Sequence, residues 1–250
     1  LMNRSRTDDL LEIVNQKRKI EVTKLAEILK VSRVTVRKDL NALEEKGLLQ
    51  RQHGYAIINN PDDLSYRLAQ NYQVKLEIAK KAAELVKDQS IIMIESGSTC
   101  ALLAQQLGKQ GKKVTIITIS YFIANYVAAY ENLNVIVLGG AYQPSSQVVV
   151  GPLVRQTLQE FRVQQLFIGT DGFDLQMGFF GNDIMRTETV RSMAEKASEL
   201  IILTDSSKFQ KMGSIRQFTL AEVNQIYTDK EVPPAIKTGL ESNNIQLHLV

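Results

Sequence analysis

Apolar residues recur at helical spacing in two adjoining segments near the start of the chain. The first segment covers residues 24–30 and ends at a short break, Val31-Ser32. In the longer segment that follows, Val36, Leu40 and Leu43 fall on one face at about 100° per residue. This face should pack against the preceding helices. The pattern therefore predicts two helices joined by a tight turn.

The other face of the second predicted helix is polar and basic. Its first turns carry Arg33, Arg37 and Lys38, and a basic hairpin, Arg51-Gln52-His53-Gly54, follows the helix. This order of parts is that of a winged helix-turn-helix, whose second helix enters the major groove of DNA. A solvated charged helix is the alternative, and the hairpin and the preceding helix weigh against it. We predict that double-stranded DNA is contacted by Ser32, which is also the expected N-cap, and by Arg33, Thr35, Arg37, Lys38, Arg51 and His53.

The pattern changes after Ser90. Short apolar, β-branched runs there alternate with helical stretches such as 101–107, 121–130 and 187–197. Strands that alternate with helices predict a mostly parallel sheet covered on both faces. The predicted strands are 91–94, 114–118, 135–138, 166–168, 200–203, 226–228 and 245–250.

These patterns together predict an α/β protein with two domains. A small N-terminal winged helix-turn-helix domain spans 1–58, and a larger C-terminal α/β domain with a mostly parallel sheet spans 87–250. Between them, a polar break at 59–63 and a charged, helical stretch from Leu64 to Val86 predict a linker helix over 59–86.

Small polar residues and glycines follow four of the predicted strands, in the loops 95–99, 139–140, 169–173 and 204–209. Parallel strands end at one edge of a sheet, and ligands of such folds bind at that edge. Loop 95–99 offers hydroxyls and amides that can cradle a phosphate, although an ordinary capping turn is the alternative. Lys208 offers a counter-charge, and Asp171 or Asp205 can accept hydrogen bonds from sugar hydroxyls. The predicted ligand is a small phosphorylated polyol, bound by Ser96, Gly97, Ser98, Thr99, Gly140, Asp171, Gly172, Asp205 and Lys208.

Charge is distributed unevenly along the chain. Residues 1–60 hold 12 Lys and Arg against 8 Asp and Glu, whereas the remainder holds 18 against 19. The positive excess therefore lies in the segment predicted to bind DNA.

We see no apolar run of about 18 residues, no secretory signal, and no second cysteine to pair with Cys100. We expect a cytoplasmic protein with no cofactor, no metal and no membrane association.

Several motifs resemble those of the DeoR family of bacterial transcription regulators. In the first 58 residues they are V-S-R-V-T-V-R-K-D-L, L-E-E-K-G-L-L and R-Q-H-G. In the rest they are I-E-S-G-S-T, L-G-G, F-I-G-T-D-G-F and L-T-D-S-S-K-F. The resemblance covers nearly the whole chain. It implies a regulator of a carbohydrate operon, usually a repressor that a sugar phosphate relieves, with an effector domain similar in fold to ribose-5-phosphate isomerase.

Two residues depart from the family pattern. Tyr55 stands where a second glycine is common after the wing histidine, although a tyrosine hydroxyl can still meet a phosphate. Glu95 stands where an aspartate is more usual, and its extra methylene changes the position of the carboxylate.

An isomerase fused to a DNA-binding module is the alternative function. Asp171, Asp174 and Glu188 resemble the carboxylates of the isomerase, and Glu188 joins the predicted effector-binding residues. The isomerase pattern also has a lysine after its aspartates, and none occurs in 177–182, so the electrophilic partner is missing.

Because one recognition helix gives too little contact for a tight operator site, we expect a homodimer or homotetramer.

Overall fold

The computed structural model describes residues 6–45, 49–57 and 64–250, and the chain divides into two compact units between Tyr72 and Gln73. The predicted polar break at 59–63 lies outside the described residues. Among the helices of those three ranges, none has both the length and the apolar character that a bilayer span requires.

The first unit combines a helical core with a small antiparallel sheet. The elements are α1 (Arg6–Lys17), β1 (Lys19–Glu21), α2 (Val22–Leu29), α3 (Arg33–Glu45), β2 (Gln50–Gln52), β3 (Tyr55–Ile57) and α4 (Leu64–Ala69). The sheet has the strand order β1-β3-β2, and β1, which the sequence pattern did not predict, pairs with the wing strand β3.

The apolar face predicted for the second helix is buried. Val36, Leu40 and Leu43 of α3 are at most 2% exposed and belong to the core of this unit. An ion pair also fixes α3 to α1, since Arg6 Nε lies 2.7 Å from Asp39 Oδ2 and its Nη2 donates to Oδ1 at 3.1 Å. Burial of one face therefore leaves the opposite face of α3 on the surface.

The second unit is organised around a seven-stranded parallel sheet. The strands of the sheet are β4 (Ile91–Ile94), β5 (Val114–Thr118), β6 (Leu133–Val137), β9 (Val163–Ile168), β12 (Ala197–Leu203), β14 (Gln225–Thr228) and β15 (Gln246–Leu249). Their order in the sheet is β15-β14-β12-β9-β4-β5-β6. The helices of this unit are α5 (Tyr72–Leu85), α6 (Ser98–Lys109), α7 (Tyr121–Tyr126), α8 (Pro152–Leu158), α9 (Ile184–Ala194) and α10 (Pro234–Ser242), with 3-10 turns at Ser206–Gln210 and Leu220–Glu222.

The predicted α/β fold with a mostly parallel sheet is confirmed, and each of the seven predicted strands overlaps a strand of this sheet. Two small antiparallel groups were not predicted. They are a hairpin of β7 (Ala141–Gln143) and β8 (Val148–Val150), and a sheet of β10 (Gly172–Asp174), β11 (Gly178–Gly181) and β13 (Ile215–Phe218).

The helical stretch predicted from Leu64 to Val86 is two helices, α4 and α5. The break falls at Gln70-Asn71, where Asn71 has a φ of 50°. Asparagine tolerates this left-handed conformation better than most residues, so the chain can turn there at little cost. The apolar pattern continues on both sides of the turn, and for this reason the sequence predicted a single helical stretch.

Candidate functional site

The amino-terminal end of α3 presents a polar surface to solvent. Ser32 caps the helix, because its Oγ accepts a hydrogen bond from the Thr35 backbone N–H at 3.1 Å. Arg33, Arg37 and Lys38 are all exposed, and Thr35 is half-buried. Three cations therefore lie at one end of the helix, where they can reach phosphate oxygens or the acceptor edge of guanine.

Val34 lies beside these cations and is 75% exposed. An apolar side chain on a recognition helix can contact the methyl group of thymine. Val34 was not among the predicted contact residues, because single exposed apolar side chains are common on protein surfaces and do not by themselves indicate binding.

A cleft separates α3 from the hairpin of β2 and β3. Its lining includes Arg37, Arg51 and His53, which are three of the predicted DNA-contacting residues. The hairpin turns through His53 (φ 49°) and Gly54 (φ 83°), and a two-residue type I′ turn requires two such left-handed residues. The structure thus brings cations of the helix and the wing to one concave surface.

Arg51 also joins the wing to the recognition helix. Its Nε lies 3.0 Å from Glu44 Oε2, and its backbone N–H donates to Glu44 Oε1 at 2.8 Å. Both side chains are partly exposed, so the ion pair contributes at most about 1 kcal/mol to stability. Part of the guanidinium is therefore engaged within the protein, and its contact with DNA stays a prediction.

The Tyr55 hydroxyl, which we expected to be able to meet a phosphate, donates to Glu21 Oε1 at 2.9 Å. Glu21 is opposite Tyr55 in the β1–β3 pair and also accepts from Thr23 Oγ1 at 3.1 Å. These hydrogen bonds lower the pKa of Glu21, and the bond to Glu21 raises the pKa of Tyr55. Lys19 Nζ lies 4.5 Å from the centre of the Tyr55 ring, within cation–π range. Tyr55 therefore serves to fix the wing.

The four predicted effector loops follow strands of one parallel sheet and lie at its carboxyl edge. From β4 the chain adds β5 and β6 on one side, and it then returns to place β9, β12, β14 and β15 on the other. The strand order thus reverses between β4 and β9, and ligands of open α/β sheets bind at such a switch point. Loops 95–99 and 169–172 flank this point, and loop 204–208 follows the next strand, β12.

Loop 139–140 lies further from the switch point than the other loops. It follows β6, which is two strands away from β4 in the sheet. At roughly 4.8 Å per strand, this is about 10 Å along the edge. The compact part of the predicted site is therefore the group of loops after β4, β9 and β12.

Glu95 occupies the switch point itself with only 6% of its surface exposed. Its Oε1 accepts a hydrogen bond from Ser96 Oγ at 2.7 Å, and its Oε2 accepts one from the Gly169 backbone N–H at 3.3 Å. The other predicted residues of this loop follow at once. Gly97 is the N-cap of α6, and the largely buried Ser98 and Thr99 form the first turn of that helix.

The predicted loop after β12 forms a capped 3-10 turn. Asp205 is 3% exposed, and its carboxylate accepts hydrogen bonds from both the backbone N–H and the hydroxyl of Ser207. Asp229 Oδ2 accepts from the Ser206 N–H at 2.7 Å and so holds the turn from the other side. Lys208 lies half-buried within this turn.

Two predicted glycines are explained by packing within the protein. A Cβ on Gly172 would lie 2.4 Å from the Gly213 backbone nitrogen, and a Cβ on Gly140 would lie 2.8 Å from the Val150 carbonyl oxygen. Neither position has room for a side chain, whatever binds there. Contact of these glycines with an effector stays a prediction.

The two remaining predicted carboxylates pair with arginines. Arg186, in the first turn of α9, places Nη2 3.5 Å from Asp171 Oδ2, and its side chain is only 14% exposed. Glu188 forms an exposed ion pair with Arg155 of α8, which belongs to none of the predicted loops. Arg186 was not predicted as a site residue, because its proximity to Asp171 depends on how α9 packs.

Comparison with known proteins decides the family. Residues 6–62 match the DeoR-like helix-turn-helix domain, and residues 70–230 match the DeoR C terminal sensor domain. The chain belongs to the DeoR family of transcriptional regulators. The resemblance identified from the motifs is therefore confirmed over both units.

Named DeoR-family relatives cover nearly the whole chain. The L-fucose operon activator of Haemophilus influenzae is 31% identical over 244 residues, which cover 96% of this chain and 97% of that protein. The glycerol-3-phosphate regulon repressor of Escherichia coli is 27% identical over 249 residues, 98% of each chain. Among solved structures, ribose 5-phosphate isomerase A from Neisseria gonorrhoeae is similar over 54% of this chain and 52% of the isomerase chain, with 21% sequence identity and a TM-score of 0.41.

Proposed function

We propose that this DeoR-family regulator controls a carbohydrate-metabolism operon, most simply as a repressor, and that a phosphorylated sugar bound to the second unit releases it from operator DNA. The observation that carries the proposal is the combination, in one family member, of a basic recognition surface on α3 with polar loops at the sheet switch point. The names of its relatives, which include regulators of L-fucose and glycerol-3-phosphate genes, support the class of operon.

The proposed DNA contacts follow from exposure and charge. Arg33, Arg37 and Lys38 supply phosphate or guanine contacts from α3, and Val34 supplies an apolar contact. His53 at the wing tip reaches the sugar-phosphate backbone beside the groove. Phosphate contacts position the protein, and base contacts supply the sequence preference.

The proposed effector contacts follow from the chemistry of the switch-point loops. The first turn of α6 offers backbone amides and the hydroxyls of Ser98 and Thr99 to a phosphate. Lys208, in the turn after β12, and Arg186, which pairs with Asp171, are cations that can balance a phosphate dianion at this edge. Asp171 accepts hydrogen bonds from the sugar hydroxyls. We propose that the protein binds this ligand without transforming it.

The structure offers no specific support for the isomerase alternative. Asp174 Oδ1 accepts the backbone N–H groups of Gln176 and Met177 at 2.9 and 2.8 Å, so this carboxylate caps a turn. Glu188 is paired with Arg155 on α8. A base for enolisation must lie within reach of the substrate carbon, and these two carboxylates have other partners.

An operator with repeated half-sites requires at least two recognition helices, so we propose a homodimer or homotetramer. Size-exclusion chromatography with light scattering, on the protein bound to operator DNA, should give two or four copies. A monomer on the operator would contradict the proposal.

Calorimetric titration tests the effector class directly. Each member of a panel of phosphorylated sugars is titrated into the full chain beside its unphosphorylated counterpart. We expect one phosphorylated sugar to bind and its counterpart to bind at least tenfold more weakly, because the loops supply donors for a dianion. Equal binding of both forms, or binding of neither across the panel, would contradict the proposed effector class.

A further inference from the structure

Glu95 connects the ends of three neighbouring strands. Its backbone N–H donates to the Phe167 carbonyl of β9 at 2.9 Å, and its carbonyl accepts from Thr118 Oγ1 of β5 at 3.1 Å. Its carboxylate then reaches past the end of β4 to the Gly169 N–H at 3.3 Å. The residue is therefore bonded to β5 and β9 on both sides of its own strand.

The two loops that Glu95 joins approach each other closely. A Cβ built on Gly97 would lie 3.4 Å from the Gly169 Cα and 3.5 Å from Glu95 Oε2. The carboxylate thus lies at the seam between loop 95–99 and loop 169–172. Both loops contain residues for which we propose effector contacts, so their relative position sets the geometry of the site.

The length of the Glu95 side chain matters for this connection. The Gly169 N–H is already 3.3 Å from Oε2, near the upper limit for a hydrogen bond. Aspartate is shorter by one methylene, so at the same backbone position it cannot reach both Ser96 and Gly169. Glutamine has the same reach, and its amide can satisfy both partners, because the Ser96 hydroxyl can either donate or accept.

We propose that Glu95 is a positioning residue of the effector site, and that its reach rather than its charge holds loop 169–172 against loop 95–99. The inference rests on the proposed function, since it concerns the site that binds the phosphorylated sugar. In this chain, the shorter aspartate would leave the Gly169 amide without this partner.

The test compares Glu95→Asp, Glu95→Gln and a control, Glu199→Asp, in the full chain. Glu199 lies in the amino-terminal half of β12, away from the carboxyl edge, so the control makes the same chemical change elsewhere in the sheet. Calorimetry measures the affinity for the phosphorylated sugar that the wild-type chain binds. Operator binding without this sugar reports on the fold, and amide hydrogen exchange reports on loop 169–172.

We expect Glu95→Asp to weaken effector binding about tenfold or more, since a buried amide loses its partner. Exchange of the Gly169 amide should also be faster in this variant. Glu95→Gln and the control should stay within about threefold of the wild-type affinity, and operator binding should be retained throughout. The inference would be overturned if Glu95→Asp kept both the wild-type affinity for the sugar and the wild-type exchange rate of the Gly169 amide. It would also be overturned if Glu95→Gln bound the sugar as weakly as Glu95→Asp.

Failure of the proposed function would look different. In that case the wild-type chain itself would bind no phosphorylated sugar, and every variant would match it in calorimetry. Hydrogen exchange would still decide whether the reach of Glu95 holds the loop. Unchanged exchange at Gly169 in Glu95→Asp would then overturn the inference independently of any ligand.

Discussion

Arg37 stands where the recognition helix faces the wing, exposed and lining the cleft between them. We expect Arg37→Ala to weaken operator binding by about 1–3 kcal/mol and to leave sugar-phosphate binding intact, because the role we propose for this cation is in DNA binding only. Fluorescence anisotropy at several salt concentrations measures both the affinity and its salt slope. Arg162→Ala, an exposed arginine of the second unit, is the matched control, and equal affinities for the two variants would remove Arg37 from the interface.

Lys208 gives the reciprocal experiment in the second unit. We expect Lys208→Ala to weaken binding of the phosphorylated sugar about tenfold or more, because a charge-assisted bond to phosphate is lost, and to leave a protein that binds operator but no longer responds. Calorimetry on this variant and on Lys113→Ala, which precedes β5 at the opposite end of the sheet, measures the difference. Normal effector binding by Lys208→Ala would exclude Lys208 from the site.

Gly172 allows the packing role of a predicted site residue to be tested by itself. A Cβ there would meet backbone atoms of Gly213 and Lys211 at 2.4 and 2.7 Å, so Gly172→Ala should destabilise the protein by about 1–3 kcal/mol. Thermal unfolding measures the loss against Gly139→Ala, where an added Cβ has nothing within 4 Å. If the two variants unfold at the same temperature, the close approach at Gly172 is not a real constraint.

Local sequence patterns predict contacts between neighbouring residues, but not contacts between residues that are distant in the chain. Ser32 was predicted as a cap because hydroxyl side chains satisfy early helix amides, and the structure shows this bond. The pairing of Tyr55 with Glu21 and of Arg186 with Asp171 could not be predicted, since each joins residues far apart in the chain. Contacts of this kind depend on tertiary packing, which the sequence pattern does not encode locally.

At the scale of elements, the wing is held in place by a strand that precedes the helix-turn-helix. β1 pairs with β3, and the Tyr55–Glu21 bond lies within that pair. We expect Tyr55→Phe to weaken operator binding about two- to tenfold, because losing this hydrogen bond loosens the wing. Anisotropy should also show a smaller salt slope if the wing contributes a phosphate contact.

The control for this experiment is Tyr142→Phe, which removes a hydroxyl from a half-exposed tyrosine of the second unit. Its operator affinity should equal that of the wild-type chain. A Tyr55→Phe variant that also keeps the wild-type affinity and salt slope would show that the hydrogen bond does not position the wing.

The elements found from sequence are those with the strongest apolar signal. All strands of the parallel sheet were predicted, since its central strands are buried and form continuous apolar runs. The edge strands β6 and β15 are only partly buried, but they are also rich in apolar residues. The antiparallel strands β7, β10 and β11 were missed because they have only three or four residues and contain or adjoin glycine. Helices α8 and α10 were also missed, and each begins at a proline.

At the scale of the whole molecule, effector and operator must influence each other equally. If the phosphorylated sugar lowers operator affinity by a given factor, operator DNA lowers sugar affinity by the same factor. A coupling of about 1–3 kcal/mol corresponds to roughly a 5- to 150-fold change. Both titrations can be made on one preparation, and unequal factors would contradict a two-site equilibrium.

The most direct test is fluorescence anisotropy with DNA from upstream of the operon that encodes this protein. Binding is measured with and without each phosphorylated sugar of the panel, and with the matching unphosphorylated sugars. The account predicts tight, salt-dependent binding that one phosphorylated sugar weakens at least fivefold and its unphosphorylated counterpart does not. Absence of sequence-preferring binding, or binding that no phosphorylated sugar changes, would contradict it.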